Sequence, residues 1–227
     1  MSPIALVGGN EFRRECDPMD RALLALAGGA GAQVAILPTA ATNENPFVAG
    51  ESGARHFRRL GARADKLMIV DEQSANQAGL VGLLEDYGFI YFTGGDPIYL
   101  HDTLRGSKTW EAVRAVHRRG GLIAGSSAGA MVLGSQFWRF DGWTAGLGLA
   151  PHLAVMPHHA TLAARWDTAS MAASLPAGVT LVGIDEATAL LIPDGRVLGV
   201  GQVTVYGAGG AQMYGPGESV ALPARLD

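Results

Sequence analysis

The chain has 227 residues, 48% of them apolar and only 17% charged. That balance excludes a disordered or solvating polypeptide, and the length is enough for one domain with a sizeable core. A formal charge of −4 gives no electrostatic case for a nucleic-acid or anionic-membrane partner.

Short apolar runs bounded by Gly, Pro or polar residues predict strands over 4–7, 33–38, 66–70, 89–93, 122–125, 154–156 and 179–184. Helical patterns fall between them, over 17–27, 47–60, 74–86, 109–118 and 160–173. This alternation implies βαβ units and an α/β fold, a doubly wound, mainly parallel sheet of the flavodoxin-like kind. After Ile184 the helices stop. Strand-like runs over 188–192, 196–200, 203–206 and 219–222 predict C-terminal antiparallel hairpins at one sheet edge. The whole chain, 1–227, reads as a single α/β domain without repeats or linkers.

Other functions are narrowed by what the chain lacks. The lone Cys16 forbids an internal disulfide and a thiolate metal site, and no helical histidine pair has metal-ligand spacing. No cofactor motif of the G-x-G-x-x-G or P-loop type occurs. The first residues carry neither a basic nor a long apolar segment, so no signal peptide is expected and the protein is read as soluble and cytoplasmic. The uncharged stretches 120–138 and 142–164 are broken by Gly, Pro, Ser or His and do not read as membrane spans.

In an open parallel sheet, chemistry gathers at the carboxyl ends of the strands. There the sequence places Gly125-Ser126-Ser127-Ala128-Gly129, a G-x-S-x-G string between an apolar strand and a small-residue helix start. The glycines remove the Cβ atoms that would block a sharp turn, so Ser127 is pushed out as a nucleophile and Ser126 is left as a structural hydroxyl. The Ala128 amide then lies at a helix N-terminus, where it can stabilise an oxyanion. A base is available in His158 or His159, both after the strand at 154–156. Asp141, Asp185 and Glu186 compete to orient it, and spacing does not choose among them.

Four ordered blocks carry a family resemblance. They are Tyr91-Phe92-Thr93-Gly94-Gly95-Asp96, the elbow running to Ala130, Gly146-Leu147-Gly148 leading to Pro157-His158, and Gly183-Ile184-Asp185-Glu186-Ala187-Thr188-Ala189. Together they resemble the serine peptidase family of dipeptidase E (aspartyl dipeptidase) and cyanophycinase. The resemblance implies a class I glutamine amidotransferase-like fold and a triad of Ser127, His158 and Glu186. It also implies an oxyanion hole of the Gly95 and Ala128 amides. Asp141 falls near an acidic position of dipeptidase E, and His159 stands where the family usually has an aromatic residue. Asp96-Pro97 departs from the Asn of dipeptidase E-like enzymes and the Asp-Gln of cyanophycinases. Cyanophycinases carry arginines soon after the histidine, whereas Leu162-Ala163-Ala164 here precede Arg165.

The expectation is a cofactor-free serine exopeptidase acting on short peptides. A carboxypeptidase or an isopeptidase using the same triad is the first alternative, and a silent small-molecule binder on the same scaffold is the second. Asp96, Arg139 and Arg165 are weaker substrate-binding candidates, the two arginines being the nearest cations for an acidic side chain. An edge hairpin near 202–212 makes a homodimer conceivable.

Overall fold

The computed structural model describes residues 2–140, 142–207 and 209–222. Its first half alternates as the sequence predicts. The elements are β1 (Ile4–Val7), α1 (Asp17–Leu26), β2 (Gln33–Leu37), α2 (Pro46–Arg59), β3 (Arg63–Lys66), α3 (Glu72–Ala75), α4 (Ala78–Leu83), β4 (Phe89–Phe92), α5 (Pro97–Leu104), α6 (Lys108–Arg118) and β5 (Leu122–Ser126). There follow α7 (Ala128–Leu133), β6 (Gly134–Arg139), β7 (Gly142–Ala145), β8 (Ala150–Met156), α8 (His159–Leu162), α9 (Thr168–Ala173), β9 (Thr180–Ile184), β10 (Thr188–Ile192), β11 (Arg196–Gly199), β12 (Val203–Gly207) and β13 (Gly210–Tyr214).

The first sheet has the order β11-β10-β1-β5-β4-β2-β3, parallel from β1 to β3, with β10 and β11 joined antiparallel at one edge. Its central strands are buried on both faces, so they read as unbroken apolar runs. Successive residues still serve opposite layers, as the period of two requires. Ile4, Leu6, Leu37, Ile90 and Ile123 pack on one side, while Ala5, Val7, Ile36, Tyr91 and Ala124 pack on the other.

A second sheet, β13-β12-β9-β8-β6-β7, stands where the sequence predicts a continuation of the first. Its middle, β6, β8 and β9, is parallel and its outer pairs are antiparallel. Of the expected edge hairpins, β10–β11 joins the first sheet and β12–β13 extends the second. Residues 219–222 contribute an isolated bridge, Arg196 to Ser219. The hairpin β6–β7 is absent from the sequence prediction because both strands are only half-buried and give no sustained apolar run.

Other boundaries move for local reasons. The third strand ends at Lys66, and residues 67–70 continue as coil with Leu67 and Ile69 in the core. The single helix expected over 160–173 is two, α8 and α9, the second starting afresh where the Asp167 carboxylate accepts from the Ser170 N–H. Helix α5, also unpredicted, has legible signals: Asp96 caps it by accepting from the Ile98 and Tyr99 amides, and Pro97 fills the first position. Among the described residues no helix is long and apolar enough to cross a membrane.

Candidate active site

The site lies where β1, β4, β5, β8 and β9 end. Strand β5 runs into α7 through a one-residue turn at Ser127, whose φ of 49° and ψ of −108° lie outside the regions a non-glycine residue ordinarily occupies. Such a conformation costs of order 1–3 kcal/mol and persists only when its surroundings over-determine it. Here the Ser127 N–H donates to the Val7 carbonyl at 2.9 Å, and its carbonyl accepts from the Met131 N–H at 3.0 Å. Close approach fixes the rest: a Cβ on Gly125 would strike the backbone of Gly129, and one on Gly129 would strike Phe92.

His158 follows β8 in the left-handed region, with φ 50° and ψ 38°. Its N–H donates to the Gly8 carbonyl at 2.7 Å, which ties this histidine to the end of β1. Its Nε2 lies 3.2 Å from Ser127 Oγ, and its Nδ1 lies 3.3 Å from Glu186 Oε1. An ionised carboxylate only accepts, so the proton belongs on Nδ1, leaving Nε2 to accept from the serine hydroxyl.

Glu186 sits in the turn after β9 and also accepts from the Thr161 hydroxyl at 2.8 Å. Partial burial pushes its carboxyl up. Hydrogen bonds from Thr161, from its own backbone N–H and from His158 outweigh that and hold it below its usual value. It is therefore an anion at neutral pH.

The neighbouring candidates are turned to other partners. His159 Nε2 is 2.7 Å from the Tyr206 hydroxyl and its Nδ1 is 3.5 Å from Asp185 Oδ1, while Asp185 Oδ2 accepts from the Gln202 N–H at 2.8 Å. This pair bridges β9, α8 and β12 instead of facing Ser127. Asp96 is engaged as the cap of α5 and accepts from Asn43. Arg139 is paired with Asp102 of α5 at 3.2 Å, and Arg165 is exposed between α8 and α9. Asp141 lies outside the described residues.

Ala128 directly follows Ser127, and Gly94, the neighbour of Gly95, is close enough that a Cβ on it would lie 3.3 Å from Ser127 Cβ. The Ala128 amide is the first of α7, one of the donors a helix start leaves without an intrahelical partner. Gly95 has φ 137°, and a Cβ there would collide with the Ala40 carbonyl. Its neighbour Gly94 gives its N–H to Glu11 Oε1 at 2.7 Å, and the other oxygen of Glu11 accepts from Ser126 Oγ at 2.8 Å. Glu11 thus clamps the glycine loop to the elbow. Sequence reasoning passed over it and Thr161; the one signal for Glu11 was its place just beyond β1. Among the described residues no group of three or more His, Cys, Asp or Glu is gathered as a metal site.

Residues 4–200 match the profile of peptidase family S51. The chain belongs to that family. As an S51 member it is a serine-type peptidase, a hydrolase. This S51 chain is 29% identical over 218 residues to the cyanophycinase of Trichormus variabilis (strain ATCC 29413 / PCC 7937), covering 89% of this chain and 72% of that protein. It is 26% identical over 220 residues to the cyanophycinase of Geminocystis herdmanii (strain PCC 6308), covering 90% of this chain and 80% of that one. The crystal structure of a peptidase from an acI-B1 Actinobacterium matches with a TM-score of 0.86 and 30% identity over 97% of this chain and 96% of that one. A putative peptidase E from Listeria monocytogenes EGD-e shares the fold, with a TM-score of 0.65 and 20% identity over 88% of this chain and 98% of that one.

Proposed function

We propose that this S51 peptidase is an exopeptidase of the dipeptidase E type, hydrolysing short peptides through an acyl-enzyme on Ser127. His158 takes the hydroxyl proton as Ser127 Oγ attacks the scissile carbonyl. Glu186 holds the imidazole in the required tautomer and stabilises the imidazolium. The Gly95 and Ala128 amides receive the oxyanion, a contribution of ~3 kcal/mol per donor. The tetrahedral intermediate collapses as His158 returns the proton to the leaving amine. Water, deprotonated by the same histidine, then cleaves the ester and frees Ser127.

The observation that carries this reading is the continuous hydrogen-bonded line from Ser127 Oγ through both ring nitrogens of His158 to Glu186. The similarity to proteins named cyanophycinase favours an isopeptidase using the same residues as the second reading.

Hydrolysis of a panel of dipeptides, tripeptides and β-aspartyl peptides by wild type and Ser127→Ala tests it. Release of single residues from dipeptides, lost on the order of 10⁶-fold in Ser127→Ala, is the expected result. Turnover confined to β-aspartyl links establishes the second reading. Hydrolysis that survives Ser127→Ala, or no turnover together with no labelling of Ser127 by a fluorophosphonate, overturns the mechanism.

A further inference from the structure

Beside the proposed reacting groups lies a cavity of about 130 Å³. Its walls are three indoles and three thioethers: Trp138, Trp143, Trp166, Met131, Met156 and Met171. Among the described residues no charged side chain lines it. Trp138 and Trp143 face each other across β6–β7 at 5.1 Å between ring centroids and 87° between planes, and Trp166 meets Trp138 edge-on at 6.5 Å. The Trp143 indole N–H donates to the Met171 carbonyl and to Ser174 Oγ, which spends its polar edge on the protein itself.

The cavity is one bonded step from the reacting groups. Met131 gives its N–H to the Ser127 carbonyl, one helical turn beyond the nucleophile. On the other side Pro157 immediately precedes His158, and Leu162, also in the lining, gives its N–H to the His158 carbonyl. Lining residues thus adjoin both Ser127 and His158, along the chain or through one backbone hydrogen bond.

Size and polarity define what the cavity admits. Small-molecule pockets run to about 300–1,000 Å³, so this one is too small for a whole ligand. A dry apolar cavity of about 150 Å³ holds a benzene ring. Indole faces and methionine sulfurs both favour an aromatic guest. A guanidinium seated here would meet no acceptor side chain among the lining residues, and a carboxylate would meet no cation, the one unpartnered polar atom of the lining being the Trp138 indole N–H. Of the two cations expected to read an acidic substrate, Arg139 is paired with Asp102 and Arg165 is exposed, and neither lines the cavity.

We propose that this cavity is a specificity pocket for an aromatic or large aliphatic side chain adjacent to the scissile bond, so that the enzyme prefers apolar peptides over aspartyl or arginyl ones. The proposal rests on the reading of Ser127 and His158 as the reacting pair.

The test is peptide binding to Ser127→Ala, followed by calorimetry and by tryptophan fluorescence, beside hydrolysis by wild type. The peptides are Phe-Ala, Ala-Phe, Asp-Ala, Ala-Asp, Arg-Ala, Ala-Arg and Ala-Ala. A Phe peptide is expected to bind at least about tenfold tighter than its Asp and Arg counterparts, and to be hydrolysed at least about 100-fold more efficiently. Leu162→Trp, which fills the cavity, and Trp166→Ala, which removes one of its walls, each bring the ratio of Phe-peptide to Ala-Ala hydrolysis down to near one. Equal or tighter binding of the charged peptides, no binding of the Phe peptides, or a preference that survives both substitutions overturns the pocket. Ser127-dependent hydrolysis of Asp peptides alone overturns the pocket and keeps the peptidase mechanism. Selective binding of Phe peptides without turnover keeps the pocket and overturns the mechanism.

Discussion

Gly9 lies so close beneath the imidazole of His158 that a methyl group on its α-carbon would overlap the ring. Its φ of 129° is also closed to residues with a Cβ. The end of β1 thus sets the position of His158, two residues beyond β8. Gly9→Ala is expected to displace the ring and lower kcat/KM about 100-fold, the scale of a misplacement near 1 Å. Gly79→Ala is the control. It sits exposed in α4 with open space around it, and gains up to about 1 kcal/mol of helix propensity without loss of rate. Steady-state kinetics and thermal unfolding of both variants make the comparison.

Glu11 joins the loop at Gly94 to the turn at Ser127, accepting from Gly94 and from Ser126. Glu11→Gln keeps the length and removes the charge, replacing one acceptor oxygen by a donor that opposes the Gly94 N–H or forces the Ser126 hydroxyl to turn and accept. The expected effect is a fall of about 10²-fold in kcat with KM little changed, because an oxyanion donor that drifts is missed only in the transition state. Ser126→Ala added to Glu11→Gln costs less than the sum of the two alone, by about 0.5–3 kcal/mol of coupling. Additive effects would mean that the clamp does not act as a unit.

The depressed carboxyl of Glu186 ties stability to pH. An acid whose folded pKa lies below its unfolded value, here near 4.5, adds stability that is fully present above that value. It is lost as pH falls through the folded value. Thr161→Val removes one of the hydrogen bonds responsible. The pH-dependent part of the difference between wild type and variant is therefore greatest above 4.5 and vanishes in stronger acid. Urea unfolding across a series of pH values reads it directly. A difference that does not change with pH would show that the hydroxyl does not act through the carboxyl.

Arg139 and Asp102 are both partly exposed, and pairs of this kind contribute about 0–1 kcal/mol. Arg139→Ala is expected to cost no more than that in stability and to leave kcat/KM for aspartyl peptides within about twofold. A selective loss above about tenfold for acidic substrates would mean that the guanidinium leaves Asp102 to bind them.

The first half of the fold was legible because its strands are buried on both faces and punctuated by Gly and Pro, features that are local. The second sheet was not. Strands β6 and β7 are half-buried, and nothing within residues 203–214 says that their partner is β9 and not the β10–β11 edge. Asp185 and Glu186 show the same limit at the scale of one residue. They are adjacent in a turn, yet one is drawn to Gln202 and His159 and the other to His158 and Thr161. No spacing rule separates them, since their partners come from elements far along the chain. The elbow at Ser127 needed only its flanking glycines and the strand before it, so the sequence by itself determined it. The orientation of His158, the clamp at Glu11 and the cavity between the indoles were decided by tertiary structure alone. Each depends on contacts between segments apart in the chain, by 115 residues in the bond from Ser126 to Glu11, and local pattern carries no information about such contacts.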